Sequence, residues 1–582
     1  MKKYLYILLT IVPMMWTACQ LLDQPPYDDF TDDEFWQNEA EARAFMYGFY
    51  PSVFSGYGSG YSHGPFLMGQ TLNDDFASDV AQQDLQPVNI PVSDGSWSFT
   101  GVRKANYVIA NVDRLPLSDR DINHWMGVAR FFRACYYSNL VFAYGDVPWF
   151  DKVPVVSNNK EDLDYLYKNR DPRTYVDSLI MEDFKFAMDN VRENDGQLQV
   201  NRYVVAGMTS RMMLREGTFL KYHNINQDYA IKCLQFAKDA ADMVINSGKY
   251  GIAPSYNALF TSDDLAGNPE VLIYRHYVDG LLSHSTLTYS FTEAQAGLSK
   301  SLADAFVRAD GRPIYVADEF WVARTADEFF ANRDPRLTQV IRPKYYVKGT
   351  SCSPFAYALS GLSWCKFMDD SRAKTPESTW SSSKNVTDAP CLRYAEVLLN
   401  YAEAAYELSL LGKYTFDQAD LDRSVNVVRA RADVNLPPLQ IMGDKPAVNG
   451  VAFDDPMRLQ IEQNADGGIT SPILWEIRRE RRVELCLEGF RLNDLKRWRK
   501  LDYLWNGCNP DIRYGAYIVL SDFTGKAKEI VIDGTTEGYI LRNTEAQRNR
   551  PIARNYIAPI PSGQISLYKS KGYTLTQNKE WE

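Results

Sequence analysis

The chain has 582 residues, enough for one large body or several ordinary domains, with 45% hydrophobic and 24% charged residues. These are globular proportions, and they exclude a collagen, a coiled coil or a generally disordered chain. A net charge of -11 repels phosphate backbones, so nucleic acid is not an expected partner.

Residues 1–18 read as a secretory signal: Lys2 and Lys3 open it, an apolar run follows from Tyr4 to Trp16, and the small Thr17 and Ala18 precede Cys19. The run is shorter than the about 20 residues that a comfortable spanning helix needs. Trp16-Thr17-Ala18-Cys19 resembles a bacterial lipobox, with Trp where Leu is common. Lipidation at Cys19 is the expectation, since several acyl chains make a stable anchor; the alternative is a plain secreted protein with Cys19 free. Residues 19–34 are acidic and proline-bearing and read as a tether. The body follows over 35–582. Thr31 and Glu34 fit a capping box for a helix through EAEARAFMYGFY.

Residues 55–101 read as loop, rich in Gly, Ser, Asp and aromatics. Helices are expected at 104–114, at 119–144 with Ser118 as its cap, and at 174–191. Residues 202–246 read as a helix pair, with Ala206, Gly207, Ser210 and Gly217 as small contact positions and Gly248 as the stop. Residues 390–433 repeat the scheme, with Thr415 and Gln418 capping the second helix. Small residues let neighbouring helices approach closely, as in tetratricopeptide pairs, although no clean 34-residue period is present. Residues 250–390 are mostly non-repetitive, and few strands are expected. The fold class is therefore mainly α, with a 35–250 part built on helix pairs and a 251–582 part that is richer in loops.

The most informative stretch is RRERRVELCLEGFRLNDLKRWRKL (478–501). Physically it is a charged helix, a glycine break at Gly489 and a second short helix. Glu476, Glu480, Glu484 and Glu488 stack along one stripe, and Arg479, Arg481 and Arg491 are expected to offset their repulsion at three-residue spacing. This stretch strongly resembles the C-terminal signature of SusD/RagB-type proteins. Further elements resemble the same family: VARFFRACYYSNLVFAYGDVPWF (128–150), NRDPRL (332–337), LRYAEVLLNYAEAAYEL (392–408) and the closing RNYIAPIPSGQISLYKSKGYTLTQNKEW (554–581). The resemblance runs from Cys19 to Trp581. It implies a lipid-anchored outer-membrane protein on the cell surface that captures a nutrient, most often an oligosaccharide, for a SusC-like TonB-dependent transporter. It implies tetratricopeptide-like helix pairs that face the transporter, no cofactor and no covalent chemistry.

Sugar rings pack their C–H faces on flat aromatics, while Asn, Asp and Arg fix hydroxyl orientation. Two loop regions offer this chemistry. The first, 71–107, carries Asn73, Asp74, Asp75, Trp97, Phe99, Arg103 and Asn106; the second, 284–321, carries Tyr289, Phe291, Tyr315 and Trp321. Ligand-contact candidates chosen by chemistry and approximate position are Trp97, Trp321, Tyr289, Asp75, Asn73 and Arg103, with Trp364 and Trp380 in reserve. Ordinary packing is the competing reading for every one of them. A peptide-capturing RagB-like member and a transporter lid without a ligand of its own are the alternatives, and the lid requires all these aromatics to be buried. Gly60-Tyr61-Ser62-His63-Gly64 fits G-x-S-x-G, but a glycine loop precedes it and Pro65 follows, so no hydrolase is expected. The five histidines form no spaced metal motif, and the eight cysteines form no C-x-x-C pair. A metal in the acidic loop 73–79 and a Cys352–Cys365 disulfide stay open at this stage.

Overall fold

The computed structural model describes residues 36–66, 73–77, 89–155, 157–291, 296–318, 321–350, 355–370, 378–380, 382–523, 530–542 and 550–582. The signal, Cys19, the tether and Cys352 lie outside these residues.

Helices dominate, and their ends follow local chemistry. Helix α1 (Glu39–Tyr47) is capped by Asn38, whose side chain accepts from the Glu41 N–H. The expected Thr31–Glu34 box lies outside the described residues; the helix over Glu39–Tyr47 takes Asn38 as its cap, which satisfies a free first-turn donor. Helix α2 (Thr100–Asn111) starts earlier than its periodicity suggests, and α3 (Asp119–Tyr144) is capped by Ser118 as expected. Helix α4 (Arg173–Asn190) follows, then the pair α5 (Arg202–Tyr222) and α6 (Gln227–Asn246). At Gly217 a Cβ would sit 2.8 Å from Leu234 Cγ, so α5 and α6 touch at a distance only glycine permits.

Helix α7 (Tyr394–Leu410) packs on α6 and α5, and its partner differs from expectation. The segment after it forms two short helices, Gln418–Asp422 and Val425–Arg429, broken where Ser424 bonds back to Asp420 O. The first of them is capped by Asp417 in a box with Asp420, not by Thr415. Helices α8 (Pro472–Glu484) and α9 (Arg491–Arg497) flank the glycine break, and α10 (Ser562–Ser570) lies near the C-terminus. Gly489 takes φ +85°, and a Cβ there would strike Pro65 O at 2.4 Å.

Strands are few and short. Strand β1 (Val271–Arg275) pairs antiparallel with β2 (Ala389–Arg393), which runs straight into α7. Strand β3 (Tyr514–Val519) pairs antiparallel with β4 (Glu537–Leu541).

Two hydrophobic cores organise the molecule. One is built from α1 to α7 with Ile473, Leu474, Ile477 and Leu485. The other gathers the loop-rich 253–389 segment, the β3–β4 hairpin, and Val483, Cys486 and Leu487. Helix α8 and the residues just after it therefore belong to both cores, and this explains the heavy charge of that stretch. Its glutamates are buried, and most of their counter-ions come from elsewhere in the chain. Glu484 meets Arg393 at 2.6 Å, Arg431 at 2.7 Å and Arg336 at 2.9 Å. Glu488 meets Lys366 and Arg393, each at 2.7 Å. Arg481 turns to Asp494 and Arg491 to Asp74, leaving Arg479–Glu476 as the expected three-residue pair. Burial alone would raise Glu484, but Arg431, Arg393 and Arg336 outweigh it and hold its carboxyl far below the usual range.

Candidate functional site

The loop before α2 is shaped by Asp94. Its carboxylate accepts the Ser96 N–H at 2.8 Å and the Tyr144 hydroxyl at 2.6 Å, while its carbonyl accepts the Trp97 N–H. Trp97 is thereby held edge-on against Tyr144, with ring centres 4.9 Å apart, and against Phe99 at 5.5 Å. It remains half-buried. The backbone N–H groups of Ser562 and Gly563 donate to Pro91 O and Val92 O, which fastens α10 beside this loop.

Between them runs a groove of about 960 Å³, whose aromatic walls are Trp97, Phe99, Phe150, Tyr167 and Tyr568. Arg103, Asn106 and Gln564 also line it. Asn106 is buried and committed: its amide donates to Phe150 O at 2.8 Å and its carbonyl accepts from Arg133 at 2.8 Å. Five other groups are uncommitted. Among the described residues, the Arg103 guanidinium, the Gln564 amide and the Tyr167 and Tyr568 hydroxyls have no hydrogen-bond partner, and neither does the Trp97 indole N–H. Burial, with Tyr167 nearby, pushes the Tyr568 hydroxyl up to about 12, so it remains a donor at neutral pH. The arrangement offers flat apolar faces beside unsatisfied donors and acceptors, which suits a ligand with apolar faces and hydroxyl edges.

The six residues singled out from sequence do not converge. Trp97 and Arg103 share the groove. Asn73 and Asp75 are buried elsewhere: Asn73 accepts the Asp75 N–H, and Asp75 pairs with Arg482 at 2.9 Å. Neighbouring Asp74 is gripped by Arg491 and Arg482 at 2.7 and 3.1 Å. Burial opposes its charge, yet the two arginines win and hold it at about 2. These acids join the first loop region to α8 and α9. Tyr289 and Trp321 are half-buried against the second core, with the Arg333 guanidinium 5.5 Å over the Trp321 ring. Tyr315 donates to Asp304 at 2.6 Å and accepts from Lys300. Trp364 and Trp380, the reserve candidates, are buried at 1% and 2% exposure because they fill the second core. The side chain of Phe291 lies outside the described residues.

Sequence reasoning missed Tyr167, Gln564 and Tyr568. Each is more than 60 residues from Trp97, and Gln564 and Tyr568 lie in the closing motif more than 450 residues away; no local signal joins them. The G-x-S-x-G match forms a tight hairpin, Gly58–Ser59 with Ser62–His63, and not the strand-to-helix elbow a nucleophile needs. Cys365 is a free buried thiol.

A family model described as the SusD family matches residues 285–581. The SusD-like protein P2 of Formosa agariphila is 22% identical over 552 residues, covering 89% of this chain and 95% of that one. A SusD-like carbohydrate binding protein from Bacteroides fragilis has a similar structure, with TM-score 0.64, 19% identity, and 92% of this chain and 99% of the other covered. Surface glycan-binding protein A from Bacteroides fluxus is similar at TM-score 0.57 and 16% identity, over 93% of this chain and 99% of that one. The family model spans more than half of the chain, and the mainly helical fold with its few short strands agrees with it: the chain belongs to the SusD family.

Proposed function

We propose that the protein is a non-catalytic, lipid-anchored binding protein of the outer-membrane surface that captures an oligosaccharide for a SusC-like TonB-dependent transporter. Family membership supports the general role, and similar proteins are named as carbohydrate- and glycan-binding. No helix among the described residues is long and apolar enough to cross a membrane, so attachment would rest on acyl chains at Cys19. The observation that carries the ligand reading is the groove of Trp97, Tyr167 and Tyr568, where aromatic faces lie beside uncommitted polar groups. The lid reading requires the named aromatics to be buried, whereas Trp97, Tyr289 and Trp321 are each half-exposed. Stacking plus a few hydrogen bonds gives micromolar or weaker affinity, about -8 kcal/mol or less in magnitude.

Affinity electrophoresis against polysaccharides and peptides tests this reading, with Trp97→Ala and Trp321→Ala as separate variants. Retardation by one glycan class, lost in Trp97→Ala and kept in Trp321→Ala, is the expected result. Loss in Trp321→Ala alone would move the site to the second loop region. Retardation by peptides alone, or by nothing, would overturn the glycan reading.

A further inference from the structure

Nearly every buried cation among the described residues faces a carboxylate, apart from Arg333, which donates to the Phe329, Ala303 and Phe306 carbonyls; the half-buried Arg215 and Lys496 face none either. Arg215 on α5 donates to Asn139 Oδ1 at 3.0 Å and to the Ser138 carbonyl at 2.9 Å, but to no acid. Its Nε is buried without a partner. The guanidinium lies 4.5 Å over the Phe142 ring, and Lys496 Nζ lies 5.3 Å from the same ring centre. The Lys496 amine has neither a hydrogen bond nor an ion pair among the described residues, although its carbonyl meets His223 Nε2 at 2.9 Å. Behind them Arg173 holds Glu216 at 2.5 Å and stacks on Phe219, which packs against Phe142 at 5.7 Å. Asp177 makes no ion pair with them, and burial, then Glu216, pushes its carboxyl well up.

The charge imbalance shows in the groups themselves. Burial, then Arg173 and Arg215, pulls Lys496 down to about 8. Burial, then Arg173 and Arg211 against the opposing pull of Glu216, brings Arg215 down to about 10. Cations crowded without counter-ions are held in an unfavourable state that an incoming anion relieves.

The cluster also has space and further donors. Arg215, Asn139 and Asn493 line a cavity of about 1040 Å³ between α5, β2 and the Gly489 turn, together with Glu396, Glu488 and Asp494, whose carboxylates are paired with Arg211, Arg393 and Arg481; Lys496 lies beside Arg215 at the Phe142 ring, outside this lining. Asn139 and Asn493 are exposed, and their amide N–H groups are unused among the described residues. Asn493 and Lys496, three residues apart on α9, share one helix face.

We propose that Arg215, Lys496, Asn139 and Asn493 form an anion-binding site that takes the carboxylate or sulfate group of an acidic saccharide. Guanidinium and ammonium donors around one anionic group make charge-assisted bonds that a neutral sugar cannot match. The site is separate from the Trp97 groove and does not depend on it.

The test is calorimetric titration of the full-length protein in detergent with sodium sulfate, galacturonate and glucose. Sulfate and galacturonate are expected to bind, and Lys496→Met to weaken both about 10- to 100-fold, the size of one lost charge-assisted bond. Lys496→Arg should retain binding, and Trp97→Ala should leave it unchanged. Because the Lys496 amine bonds nothing, Lys496→Met should melt no lower than the parent in the absence of anion. Equal anion binding by Lys496→Met and the parent, or no anion binding by the parent, overturns the proposal. Sulfate binding without galacturonate binding overturns its saccharide half. A lower melting temperature for Lys496→Met without anion would assign Lys496 a structural role instead.

Discussion

The Trp97 groove and the ionic lattice around α8 are both dense in aromatic and polar side chains, yet they treat their polar atoms in opposite ways. In the lattice nearly every charged group is answered: Arg393 alone reaches Glu270, Glu484 and Glu488. In the groove the Trp97 indole N–H, the Tyr167 and Tyr568 hydroxyls, the Arg103 guanidinium and the Gln564 amide have no partner among the described residues. A satisfied network fixes one arrangement of the chain, and an unsatisfied one awaits a ligand. The most family-like stretch is therefore architectural, and the proposed ligand contacts lie in residues outside that signature.

The largest effect should come from breaking the lattice. Arg393→Met leaves three buried carboxylates short of a partner and should cost about 3–5 kcal/mol, read as a lower urea midpoint or as failure to fold. A cost under about 1 kcal/mol would mean that the lattice is incidental.

Acid should act on the same region. Asp74 is held at about 2 in the folded protein against about 3.9 for an unperturbed aspartate. Its stabilisation is present above about pH 4 and is lost as pH falls toward 2, about 2 kcal/mol from this group alone. Urea midpoints should stay level from about pH 7 to 5 and fall below about pH 4, with a smaller fall in Asp74→Asn. Equal stability at about pH 3 and pH 7 would contradict the lattice.

The groove should respond in the reverse sense. Trp97→Ala should weaken glycan binding by about tenfold or more, while stability falls by less than the Arg393 change. Unchanged binding with a large loss of stability would make Trp97 a packing residue.

The smallest effect tests where the lattice is imperfect. Burial outweighs Arg479, with Asp455 adding repulsion, so Glu476 is pushed up to about 7. Its folded value lies above the unfolded one, so its burial costs stability as pH rises from about 4.5 to 7. Glu476→Gln should be neutral or stabilising by about 1 kcal/mol near pH 8 in thermal melts, and a marked loss would show that the Arg479 pair dominates.

Much of the fold was legible because it rests on local signals. Helical spacing located α3 to α7 and Ser118 capped α3, while Gly489 marked the turn before α9; α8 itself ends earlier, at Glu484, so Glu488 lies beyond its stripe. Signals failed where distant groups decide. Asp417 took the cap from Thr415 through a box with Asp420, and Glu484 found its counter-ions in Arg336, Arg393 and Arg431 rather than on its own helix. The same limit applied to the site. Trp97 and Arg103 are close in sequence and share the groove, whereas Asp75 looked like a loop acid until Arg482, about 400 residues later, took its carboxylate. Tyr167 and Tyr568 join Trp97 only through the tertiary fold, and Trp364 differs from Trp97 by burial alone, which composition does not encode.

On the proposed reading the Trp97 groove holds the glycan. The most direct test of this reading follows the indole N–H signals of the 15N-tryptophan-labelled protein during titration with the glycan that retards it. The Trp97 signal, assigned by its absence in Trp97→Ala, should shift in a saturable way, while those of buried Trp364 and Trp498 stay fixed. A saturable shift at Trp321 with Trp97 unmoved would contradict the claim.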